Sequence, residues 1–236
     1  MKGPAQPVNL VGPNKTMTRA LSVALMAALA VPLRSQEPKP ALAGSIDGGV
    51  YASPTNAFKI PVPVLPALGG KVHDTDHVVV FKDDFDTHIT IGAFKQDATQ
   101  RWEMETRDTK AYLIYYFGTF VMTDFKRSCP DARIESAGYA ANFLDGALFC
   151  YILLPGGSMF ADQLAFEPAG KPPVAKRGNV VFVRNGFVYF VSIELAEKVT
   201  EGARYNKTPE EEDSILRKRL VDIVSKMQFT APAPTK

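Results

Sequence analysis

All three histidines of this chain fall within sixteen residues, and five aspartates fall among them: His73-Asp74-Thr75-Asp76-His77, then Asp83, Asp84, Asp86 and His88. Imidazole nitrogen with carboxylate oxygen is a donor set for a divalent metal such as zinc or manganese. His73, Asp74, Asp76 and His77 are close enough in sequence to converge from one loop, and they are the candidate ligands. His88 is not one of them. If 77–81 and 87–94 pair around a turn, His88 lies near Val80 at the turn end and His77 lies at the other. Three rungs along a strand exceed roughly 9 Å, too far for ligands that each sit about 2.1 Å from one ion. The competing description is a solvated loop feeding a strand, followed by an acidic hairpin tip that favours solubility.

Cys129 and Cys150 are the second pair with chemical potential. In an exported protein they are candidates for a disulfide, whose closed loop would stabilise the fold by roughly 3 kcal/mol in the chain-entropy model. With a turn at Asp145-Gly146, Cys150 pairs near Ala141, and a bridge requires the chain to fold back. The alternative is an unpaired Cys150 buried in the apolar strand ALFCYILLP. Ser158, in Leu154-Pro155-Gly156-Gly157-Ser158-Met159-Phe160, follows a strand, but Phe160 stands where a nucleophile elbow needs its last glycine. The chain has no dinucleotide-binding glycine pattern, P-loop or H-E-x-x-H. No catalytic set emerges, and the chain reads as a non-enzymatic protein without a resident cofactor, a divalent metal at 73–77 being the one alternative.

The segment Met17–Leu33 (MTRALSVALMAALAVPL) says where partners are to be sought. Lys2, Lys15 and Arg19 supply positive charge, Ala20 to Leu33 is apolar, and small residues (Ala28 and Ala30, or Ala41 and Ala43) precede candidate cut sites. That is the pattern of a secretory signal. A spanning helix takes about 20 apolar residues, and this run is shorter, so no stable membrane insertion is expected after leader removal. Translation starts at Met1 or Met17. The expected organisation is a signal peptide with an N-terminal extension over 1–35, a linker over 36–45, a single domain over 46–230 and a disordered tail over 231–236. The expected compartment is periplasmic or extracellular.

Leader removal also changes the charge. The chain holds 27 Lys and Arg against 25 Asp and Glu, but Lys2, Lys15, Arg19 and Arg34 precede Gln36 and no acid does, which leaves 23 cations. The mature chain is slightly acidic and has no long basic run, so nucleic acid is not expected as a partner.

The elements that would position these residues are legible as hairpins and helices. Asn185-Gly186 separates Val180–Arg184 from Phe187–Ile193, and Asn-Gly suits the type I′ turn because both central residues need positive φ. Further hairpins are expected at Asp145-Gly146, between Tyr139–Leu144 and Ala147–Leu154, and at Lys82–Asp86. Thr208-Pro209-Glu210-Glu211 is a capping box that opens a helix with Leu216, Leu220, Ile223 and Met227 on one face. A second amphipathic helix is expected from about Thr106 to Phe125, its aromatics serving mainly as core. The fold class is α+β: an antiparallel sheet built from hairpins and flanked by two principal helices, an α/β/α-like sandwich.

This order of elements resembles the PsbP/Mog1-like superfamily. The resemblance covers about residues 47–230 and is carried by Tyr51, Pro54, Phe58, Ile60 and Pro61 at the opening, by Phe81, Asp83 and Asp84 at a strand exit, and by Met227-Gln228-Phe229 after the final helix. It implies an antiparallel sheet flanked by helices and a non-enzymatic module that binds or assembles protein partners; the partner is unidentified. The alternative is an exported protein binding a metal or a small ligand. Side chains of 73–77 at coordinating distance would favour the metal, and a pocket lined by aromatics would favour a small molecule.

Overall fold

The computed structural model describes residues 41–161 and 172–231; the expected signal peptide, residues 36–40 of the expected linker, residues 162–171 and the expected tail from 232 lie outside the described residues. Ser45–Asp47 (β1), Val50–Ala52 (β2) and Phe58–Pro61 (β3) open a small antiparallel sheet. Lys71–Asp74 (β4), Val78–Lys82 (β5) and His88–Lys95 (β6) follow, and then a helical run of Ala98–Arg107 (α1), Thr109–Tyr116 (α2), a wide π segment at Phe117–Val121, and Met122–Ser128 (α3). Four long strands come next: Arg133–Ala140 (β7), Ala147–Pro155 (β8), Val174–Arg184 (β9) and Phe187–Glu194 (β10). Ala196–Thr200 (α4) and Pro209–Ser225 (α5) precede Gln228–Phe229 (β11), which pairs with β3. The main sheet has seven antiparallel strands in the order β4-β5-β6-β10-β9-β8-β7.

Local chemistry explains the best-determined joints. Asn185 and Gly186 have φ of 52° and 77°, the left-handed pair that a type I′ turn requires, and Arg184 pairs directly with Phe187. Thr208 caps α5: its hydroxyl accepts from Glu211 N–H, and the Glu211 carboxylate accepts from Thr208 N–H at 2.8 Å. The expected face of this helix is the buried one, through Leu216, Leu220 and Ile223, with Met227 just beyond its end.

Two expectations about register need correction. The β7–β8 connection is a six-residue loop over 141–146, because Leu144, Asp145 and Gly146 all take positive φ and Ala140 pairs with Ala147. Cys150 therefore faces Ala137 across the ladder, not Ala141. The β5–β6 turn occupies 83–87, so His88 pairs with Lys82, not near Val80. The Asp83 carboxylate shapes this turn by accepting the N–H groups of Phe85, Asp86 and Thr87.

Alternation along the strands sorts side chains to two faces. One face carries Phe81, Ile91, Phe149, Val180, Phe182, Tyr189 and Val191, and it is closed by α5, which lies on β9 and β10, and by the small sheet. Gly178 lies under α5, where a Cβ would stand 2.8 Å from Leu216 Cβ. Lys176, fully buried beside it, places Nζ 2.6 Å from Asp213 Oδ1 and 3.1 Å from Glu212 Oε2 and ties β9 to the start of α5. The other face carries Leu148, Cys150, Ile152, Val181 and Val188 under Tyr112, Leu113, Tyr116 and Phe117. Helices thus cover both faces, as expected. Among the described residues no helix is long and apolar enough to cross a membrane.

Candidate functional site

The helical run covers only part of its face. It reaches β8 directly, and toward β5 and β6 the sheet is left open, so that a cleft of about 830 Å³ lies between the sheet and the segment Tyr116–Ser128. Its walls are largely apolar: Phe94 and Phe190 from the strands, Tyr116, Phe120 and Phe125 from the helical run, and Met159 from the loop after β8.

The helical wall is positioned by two aspartates. Asp97 caps α1 by accepting Gln100 N–H at 2.7 Å while its own N–H donates to Gln100 Oε1. Asp108, at φ 68°, breaks the helix and restarts it by accepting Ala111 N–H at 2.8 Å. The aromatics of the run then divide. Tyr112, Tyr116 and Phe117 are core, and burial pushes the Tyr116 hydroxyl pKa up. Phe120 is 44% exposed and packs edge to face on Tyr115 at the cleft rim.

The floor is polar, and its polar groups are buried. Glu194, fully buried at the end of β10, accepts from Arg177 Nε at 3.3 Å and Nη2 at 3.2 Å, from Ser158 Oγ at 2.6 Å, and from Met159 N–H at 3.0 Å. Arg177, on β9, spans the floor with its guanidinium 5.7 Å from the Phe125 ring. Ser192, between Phe190 and Glu194 on the same face of β10, is 3% exposed, and its hydroxyl has no hydrogen-bond partner among the described residues. His88 lies on the cleft face of β6, at the end of the strand beyond Thr90. Burial, with Arg177 and Lys82 nearby, lowers its pKa to about 4, so it is neutral at ordinary pH. Ser158 is not set up as a nucleophile, because its hydroxyl is committed to a carboxylate that already receives three N–H donors.

The histidine and aspartate cluster lies elsewhere for the most part. His73 and Asp74 are consecutive in β4, so their side chains leave opposite faces of the strand. Asp74 is engaged by Ala43 N–H at 2.9 Å, Gly44 N–H at 2.7 Å and Tyr51 Oη at 2.8 Å, which also orders the chain just ahead of β1. Asp76 is at the β4–β5 turn, and His77 packs at a tilt on Phe94, ring centres 5.8 Å apart, where it forms part of the cleft wall. The structure does not bring the four together, and among the described residues no three His, Cys, Asp or Glu side chains are grouped to hold a metal. The cysteines are separate free thiols, not a disulfide. Cys129 donates to Pro155 carbonyl at 3.2 Å at the cleft edge, and Cys150 lies in the apolar layer, its pKa pushed up to about 12 by burial.

Arg177, Ser192 and Glu194 escaped the sequence reading. The signal for Ser192 and Glu194 is the pair of polar residues at alternate positions, Ser192-x-Glu194, closing an otherwise apolar strand, which marks one face as different from the other.

No protein-family model matches this sequence, and no curated protein does. Among solved structures the fold is similar to that of the Ran-binding protein Mog1p of Saccharomyces cerevisiae, with a TM-score of 0.46, 10% identity, and coverage of 79% of this chain and 97% of that one. It is similar also to the cyanobacterial PsbP of Synechocystis, with a TM-score of 0.46, 11% identity, and coverage of 79% and 98%. These likenesses carry no statement about what this chain binds. What the cleft binds has to come from the cleft.

Proposed function

We propose that this chain is an exported, non-enzymatic binding protein that holds an apolar small molecule in the cleft between Tyr116–Ser128 and the open face of the sheet. The aromatic walls of a cleft of about 830 Å³ carry this reading; ligand sites are typically concave, mostly apolar, and roughly 300–1,000 Å³ in volume, with a few placed polar groups. Export rests on the Met17–Leu33 pattern and is tested by fusing residues 1–45 to a reporter enzyme active only outside the cytoplasm; an inactive, cytoplasmic fusion would remove it. Binding is tested with Nile red, an uncharged dye that fluoresces in apolar surroundings. Saturable one-to-one binding, lost in Phe120→Asp at the rim, is expected; no binding to the folded protein would overturn the ligand reading.

A second reading, docking of a protein partner, is favoured by a different surface. Leu65, Leu68 and Phe85 are exposed, and the backbone bond from Asp84 N–H to Leu68 carbonyl brings their segments together. Crosslinking in the native compartment with the intact chain and with Leu68→Asp checks it: a specific adduct that the variant loses supports docking there.

A further inference from the structure

The floor of the cleft has unspent hydrogen-bonding capacity, and its electrostatics specify what would use it. The Arg177 guanidinium gives Nε and Nη2 to Glu194, and Nη2 also approaches Gly157 carbonyl at 3.5 Å. Among the described residues its Nη1 makes no hydrogen bond, although the side chain is only 9% exposed and lines the cleft. The Ser192 hydroxyl, also lining the cleft, is buried without a partner. A buried polar group left unsatisfied costs about 1–3 kcal/mol, so the buried Ser192 hydroxyl, with Arg177 Nη1 also uncommitted at the wall of the same apolar chamber, forms an anchoring point. Both line the same cleft from neighbouring strands.

The charge of that oxygen is restricted. Arg177 is already neutralised by Glu194 at 3.2 Å, and the nearby His88 is uncharged, so the floor itself carries no net charge. A carboxylate brought to the floor would lose its hydration and face Glu194 at close range, while the other charged residues that line the cleft, Lys95, Asp97 and Asp124, are exposed to solvent. A neutral carbonyl oxygen needs only the donors that are present.

We infer that the cleft selects an apolar molecule that ends in, or carries, an uncharged carbonyl oxygen (a ketone, ester or amide), which accepts hydrogen bonds from Arg177 Nη1 and Ser192 Oγ while the aliphatic or aromatic body lies against Phe94, Phe120, Phe125 and Phe190. This specificity rests on the ligand-binding reading above.

The test is displacement of Nile red from the full chain by three probes of equal length: 2-dodecanone, dodecane and dodecanoate. The ketone is expected to compete about three- to tenfold better than the alkane, the value of one or two net hydrogen bonds, and better than the acid. Ser192→Ala should reduce the ketone's advantage and leave dodecane unchanged, with a melting temperature no lower than that of the intact chain as the control for folding. Equal competition by ketone and alkane, or strongest competition by dodecanoate, would overturn the carbonyl specificity while leaving the apolar site standing. Failure of Nile red itself to bind would remove the site.

Discussion

The two faces of the seven-stranded sheet are built from the same strands and solve different problems. On the face under α5 the layer is largely apolar and closed, with Lys176 paired to the acids that open α5: Phe182 stacks on Tyr189 at 5.1 Å, and Phe229 from the small sheet meets both rings edge on. On the opposite face the helices stop short, and the positions of β9 and β10 that line the cleft include Arg177 and Ser192, with the buried Glu194 holding Arg177. The difference separates stability from recognition. A closed apolar layer contributes through area removed from water, whereas a half-covered layer with buried polar groups gives up some of that gain and offers a place for a ligand.

Truncation on the closed face tests this contrast most severely. Phe182→Ala should cost about 3–5 kcal/mol in urea unfolding, because a fully buried ring leaves a cavity among neighbours that cannot collapse into it. A loss below 1 kcal/mol would mean that the layer is looser than its contacts indicate. Acidification should act next, and from the open side. His88 is neutral in the fold with a pKa of about 4 but takes up a proton near 6.5 when unfolded. The unfolded chain therefore binds more protons in this window, and stability should fall as pH drops from 6.5 toward 4, by up to about 3 kcal/mol. His88→Gln should flatten that slope, as read from denaturant midpoints at several pH values.

Overpacking gives a smaller effect. Gly178→Ala puts a Cβ against Leu216 under α5 and should cost about 1–3 kcal/mol. Smallest of all, Phe120→Asp at the exposed cleft rim should change stability by less than about 1 kcal/mol while abolishing Nile red binding. If Phe120→Asp were as destabilising as Phe182→Ala, the open face would be core and the division between the faces would fail.

Much of the fold was legible because the signals are local. Asn185-Gly186 demands its turn through φ alone, and Thr208-Pro209-Glu210-Glu211 closes its own hydrogen bonds within one helical turn. The loop after β7 was less legible. Asp145-Gly146 carries the residue types of a two-residue turn, but Leu144 also takes positive φ, and the connection lengthens to six residues. In the helical run, Asp97 with Gln100 was an available capping signal for a start near 98, earlier than the aromatic density alone suggests. The candidate site was largely illegible. His73 and Asp74 attract notice by type, yet adjacent residues of a strand diverge, and only His77 of that cluster reaches the cleft.

The sequence by itself determined the hairpins, the cap and buried stripe of α5, and the α+β class, since each follows from φ preference, capping or periodicity within a few residues. Only the tertiary structure decided that one face of the sheet would stay open, and that Ser158, Arg177 and Glu194, separated by 17 to 36 residues, would meet there. Such a meeting depends on strand order and on how far a helix reaches across a sheet. Those are properties of the packed chain as a whole, and no local spacing encodes them.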